Sequence, residues 1–166
     1  MQKNIHFLSL FFLLFGSFTQ AQINLQVTEI FSGQAGTDLT KDWFEIRNDG
    51  TEAWVVGADP DLYYDDDSAA PAEAALIEGL VDIQPGETVL VLITGTMSNL
   101  TIFNDIWGSV IDLTGIEIGY ADGSNLGSSG DAVTIWMGMP NTTLPIISAS
   151  YPDASLFDGQ SYDLEL

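Results

Sequence analysis

Apolar and polar positions along this chain alternate in short runs with a period of two, the spacing of half-buried strands. Ile23 to Phe31 is rich in β-formers with partial alternation. Trp43-Phe44-Glu45-Ile46-Arg47 places Phe44 and Ile46 on one face and Trp43, Glu45 and Arg47 on the other. Trp54 to Val56 and Leu62 to Tyr64 read as short strands, and the apolar run Thr88 to Ile93 as a central one. Ile116 to Tyr120, Asp131 to Met137 and Pro145 to Tyr151 complete the set. Asn48-Asp49-Gly50-Thr51 signals a turn because Asp-Gly accepts positive φ cheaply, and Gln84-Pro85-Gly86-Glu87 signals another. Helical signals are sparse. Pro71 to Leu80 predicts two turns ending at Gly79, and Asn99 to Trp107 predicts one. Many short strands, Gly, Asn and Pro turns and no βαβ alternation predict an all-β sandwich or barrel.

The first residues break this pattern. Lys3 precedes an apolar run from Phe7 to Phe18, and Thr19-Gln20-Ala21 offers small residues where a signal peptidase reads. Residues 1–21 are therefore expected to be a cleaved export signal, because the run is shorter than the roughly 20 residues a membrane span needs. No other stretch is long and apolar enough to span. Residues 22–166 are expected to form one exported domain, secreted or held at the cell surface. The chain has no cysteine, so burial rather than disulfides must stabilise it. Glu165-Leu166 falls inside what reads as a strand, as expected of either a stand-alone domain or the first part of a longer protein.

Charge then narrows the chemistry. The sequence has 24 acidic residues against 3 Lys and Arg, a net charge of −21. Beyond Ala21 the cations are Lys41 and Arg47 alone, and there is no histidine. A histidine-relayed nucleophile, a thiolate nucleophile and a histidine or thiolate zinc site all lack their parts. Nucleic acid is not an expected partner, since phosphates are held by Lys and Arg. A dense acidic surface suits a salty habitat or divalent-cation binding.

The segments "VTEIFSGQAGTDLTKDWFEIRNDGTEAWVVG", "DIQPGETVLVLI", "FNDIWG", "LGSSGDAVTIW" and "IISASY" occur in that order. In this layout the chain resembles the lamin tail domain family, in its secreted bacterial form, from about Leu25 to Tyr151. Its two most specific pieces are Asp42 to Asn48 and Gly127 to Trp136. The resemblance implies an immunoglobulin-like β-sandwich acting as an accessory module beside exported hydrolases, nucleases or phosphatases, or on a cell-surface protein. It brings no catalytic residues. Nuclear lamin tails meet nucleic acid through basic surfaces, and that role does not carry over to so acidic a chain.

Asp59, Asp61, Asp65, Asp66 and Asp67 place five aspartates within nine residues. In an extended chain Asp65 and Asp67 share a face and Asp66 points away, while Asp59 and Asp61 join them if the segment bends. Calcium takes six to eight oxygens, and such a loop is a candidate calcium site as well as an ordinary solvated acidic loop. It is not an EF-hand: counted from Asp59, the sixth residue is Tyr64 and the twelfth Ala70. Counting from Asp122 also fails, with Gly127 sixth but Val133 twelfth.

Trp43, Trp54, Trp107 and Trp136 read mainly as core, with a sugar-stacking platform as the alternative and Trp136 the most exposed. Three functions follow. The first is a non-catalytic module that binds an extracellular polymer, a surface or a partner domain. The second is a calcium-dependent adhesion or matrix protein. The third is a carboxylate-based glycosidase drawing its pair from Glu29, Glu45 and Glu117, which lie on predicted strands.

Overall fold

The alternating run at Phe44 and Ile46 becomes a strand whose inward side chains are fully buried, and the rest of the chain is arranged around them. The computed structural model describes residues 21–33, 40–157 and 159–165. The predicted export signal, apart from Ala21, lies outside these residues. In chain order the strands are β1 (Leu25–Phe31), β2 (Trp43–Asn48), β3 (Trp54–Val55), β4 (Leu62–Asp65), β5 (Ala75–Leu76), β6 (Asp82–Ile83) and β7 (Thr88–Ile93). A helix α1 (Ser98–Trp107) follows, then β8 (Glu117–Ala121), β9 (Asp131–Met137), β10 (Ile147–Tyr151) and β11 (Tyr162–Asp163). One sheet has the order β11-β1-β2-β7-β8, a second β10-β9-β4-β5, and β3 pairs with β6.

The two larger sheets share one apolar core, so the architecture of the described residues is all-β and sandwich-like with one short α-helix. Val27, Ile30, Phe44, Ile46, Val89 and Val91 enter it from the first sheet. Leu62, Tyr64, Val133, Ile135 and Ile147 enter it from the second. Phe44 and Tyr64 meet across the layers with ring centroids 5.0 Å apart. Each such side chain contributes about 1.5–3 kcal/mol by leaving water. In β1 the strict alternation fails, because Val27 and Ile30 both point inward. A register shift against β2 between Val27 and Glu29 accounts for this: a β-bulge at Thr28 resets the phase.

The outer face of the first sheet is also covered. β7 and β8 pair in parallel, and the connection between them carries α1. Parallel neighbours cannot be joined by a hairpin, so the helix is the crossover of a βαβ unit. This corrects the expectation that the chain holds no such unit. Phe103 of α1 packs in a second cluster with Phe31, Trp43, Leu90 and Leu92. The Trp43 ring lies 5.8 Å from that of Phe31 and 5.5 Å from that of Trp107. Burial on both faces explains why β7 reads as an unbroken apolar run.

Two further expectations change. Pro71 to Leu80 is not a two-turn helix. Glu73 and Ala74 donate to the Ala70 carbonyl in a single turn, then β5 pairs with β4 and the Ile77 amide donates to the Leu62 carbonyl at 2.8 Å. Ile77 and Leu80 are buried, and docking them holds the segment extended. Trp136 is 1% exposed rather than the most exposed tryptophan. It stands directly opposite Tyr63 on β4, on a sheet face that is itself covered at this point. Trp43 and Trp54 are buried as well, so these three do not form a surface platform.

The turns follow their chemistry. Gly86 has φ +79, and the Glu87 amide donates to the Gln84 carbonyl at 2.9 Å, as in a type II turn with Pro85 leading. Gly50 serves differently: its φ is not positive, but a Cβ there would sit 2.1 Å from the Gln22 carbonyl oxygen. No helix among the described residues is long and apolar enough to cross a membrane.

Candidate functional site

Strand β4 ends where the acidic run begins, and the chain turns at once. Asp65 completes the strand fully buried, its Oδ2 accepting from the Ser68 hydroxyl at 2.8 Å and the Ala70 amide at 2.7 Å. Asp66 Oδ1 accepts the Ser68 amide at 2.9 Å, and the Asp66 carbonyl accepts the Thr134 hydroxyl at 3.0 Å. Within this turn Ala69 has φ +45, a left-handed conformation unusual for a residue with a Cβ.

Asp131, at the start of β9, ties this turn to the Gly-Ser loop before it. Its Oδ1 accepts the amides of Asp67 at 3.0 Å and Ala132 at 2.8 Å. Its Oδ2 accepts the amide of Gly127 at 2.5 Å. Carboxylate oxygens of Asp66, Asp67 and Asp131 come within 4.8 Å of one another. The Asp131 charge, with some burial and the Asp66 charge, pushes the Asp67 carboxyl above its usual range. Tyr64 and Tyr151 flank the loop, donating to the carbonyls of Ser124 and Gly127, each at 2.8 Å. Burial holds both phenols far above their ordinary range, so they remain neutral donors.

The structure therefore divides the five aspartates. Asp66 and Asp67 come together, joined by Asp131. Asp65 is spent on the turn, so the expected pairing of Asp65 with Asp67 is corrected: strand alternation stops at Asp65. Asp59 is used elsewhere, its Oδ2 accepting the Val55 amide at 2.7 Å in the turn after β3. Asp61 is exposed, and its carbonyl accepts the Gly138 amide at 2.8 Å. Asp131 had been legible only as the first residue of a strand. Its role depends on contact with residues 64 positions away, and no local pattern encodes that. Three converging carboxylates suit a hard cation, although calcium's six to eight oxygens would need backbone carbonyls or water to complete them.

The glutamates of the glycosidase reading are also placed. Glu29 on β1 and Glu45 on β2 are direct cross-strand partners. Glu29 accepts the Ser161 hydroxyl, and Glu45 accepts that of Thr28. Burial, opposed by the Thr28 hydrogen bond and reinforced by the Glu29 charge, raises the Glu45 carboxyl. Glu117 lies on β8, with β7 between it and Glu45, and accepts the Val81 amide at 2.6 Å. Comparison with protein-family models, with curated proteins and with solved structures gives no match.

Proposed function

We propose that this chain is an exported, non-catalytic accessory module of lamin-tail type with an immunoglobulin-like sandwich. It attaches or positions a larger extracellular protein through a polymer, a surface or a partner domain. One observation carries the reading. Asp42, the first residue of one family-like segment, accepts a buried hydrogen bond 2.9 Å long from the amide of Leu126, the residue that immediately precedes the other, 127–136. Sequence features that suggested one family by their order alone are thus joined in space. Binding rather than chemistry is supported by how the Glu29–Glu45 pair is used: each carboxylate accepts a hydroxyl of the fold, from Ser161 and from Thr28.

The test has two arms. N-terminal sequencing of protein collected outside the producing cell should begin at Gln22. Labelled chain should then be retained on cells or on insoluble extracellular polymer without releasing sugar. Retention nowhere, or release of reducing ends, would sink the reading.

A second reading is calcium-dependent adhesion, favoured by the convergence of Asp66, Asp67 and Asp131. Melting with calcium and then with chelator tests it. At a hundredfold excess over Kd a site adds about 2.7 kcal/mol. Coincident curves, or a shift that survives Asp131→Asn, would remove it.

A further inference from the structure

Strand β11 has two residues and lies at the edge of the first sheet. It pairs with β1 through two positions, Glu29 opposite Asp163 and Ile30 opposite Tyr162, and the Leu164 amide donates to the Thr28 carbonyl at 2.9 Å. That carbonyl belongs to the bulge residue of β1. Tyr162 and Leu164 are partly buried against the main core.

The charges around β11 work in opposite directions. Asp163, Glu29 and Glu45 are consecutive cross-strand partners on β11, β1 and β2, a row of three acids on one sheet face. Like charges directly opposite destabilise a sheet. Opposing them is Arg47, which grips Glu165 through Nη1 at 2.7 Å and Nη2 at 2.5 Å. The same guanidinium holds Asp49 through Nε at 2.6 Å and Nη2 at 3.1 Å. The neighbours on β7 across from Arg47 and Glu45 are Thr88 and Leu90, which carry no charge. The balance therefore lies among Arg47, its two carboxylates and the acid row.

We propose that residues 161–165 form a releasable strap over the edge of β1. The fork of Arg47 fastens it against the repulsion of Asp163, Glu29 and Glu45. Releasing the strap uncovers the backbone of Ile30 and the bulge carbonyl of Thr28 along the edge of β1. The hydrogen bonds from Arg47 hold the Glu165 and Asp49 carboxyls below their usual range. The fastening is therefore complete above the ordinary carboxylate range and is lost as pH falls through the lowered values.

Residue-resolved amide hydrogen exchange on the full chain tests the strap. Arg47→Gln should speed exchange at Leu164 by about fivefold, the scale of a well-formed exposed ion pair, and leave Val133 and Ile135 on β9 unchanged. Adding Glu29→Gln, which keeps an oxygen for the Ser161 hydroxyl and removes the central charge of the row, should reverse most of that increase. Unchanged exchange at Leu164 in Arg47→Gln would overturn the proposal. So would an increase shared equally by β9, or no recovery in the double variant.

Discussion

Asp42 Oδ2 accepts the backbone N–H of Leu126 at 2.9 Å in a buried setting, across 84 residues of chain. The bond fixes the segment entering β2 to the loop that leads into β9. Asp42→Ala leaves a buried amide without its acceptor, which costs about 1–3 kcal/mol. Asp42→Asn keeps an acceptor oxygen and should lose less. Urea unfolding of the two variants beside the parent measures the difference, and equal midpoints for all three would refute the role.

Asp67 gives a pH-dependent prediction of fixed sign. The Asp131 charge raises its carboxyl in the folded chain, so folding disfavours the ionised form. The contribution to stability is therefore fully present below the unfolded carboxylate value and is lost as pH rises through the folded one. Asp67→Asn should raise the melting temperature at neutral pH, and the gain should vanish below about pH 4. A gain that persists unchanged into acid would contradict this.

Ala69 pays for its position in the turn. Left-handed backbone costs a residue with a Cβ about 1–2 kcal/mol, part of which glycine returns through its freer unfolded chain. Ala69→Gly should therefore stabilise the protein by about 0.5–1 kcal/mol in chemical denaturation. A loss would show that the turn favours alanine for a different reason.

Trp136 is a core residue. Trp136→Ala should cost about 3–5 kcal/mol, the range for removing a large buried aromatic. Thermal unfolding checks it, and a near-neutral result would return Trp136 to the surface.

Much of the fold was legible because its strands obey local rules. The run at residues 43–47 and the apolar stretch 88–93 appear as β2 and β7 at nearly the predicted bounds, since alternation and β-branching act over a few residues. The strands β5 and β6 were not legible. Each has two residues, and each exists because a neighbouring strand supplies its hydrogen bonds. The phase change at Thr28 was hidden for the same reason: a bulge is defined by its partner strand. Gly50 was read as a φ-permissive turn residue, yet its position demands the absence of a Cβ beside the Gln22 carbonyl. At the acidic turn, composition located Asp66 and Asp67 but not Asp131, because carboxylates converge through tertiary structure. Composition also could not reveal that Asp65 would turn inward and serve as a turn acceptor.

The parallel seat of β8 beside β7 has a kinetic consequence. Every other pairing in the two large sheets is antiparallel, but β8 can dock only after the chain has travelled out through α1 and back. Yet that excursion is short beside the one that brings Leu62 of β4 opposite Met137 of β9, so loop-closure entropy lets β8 seat before β4 and β9 pair. Ile118→Ala on β8 should then slow refolding more than it speeds unfolding, while Leu62→Ala on β4 should mainly accelerate unfolding.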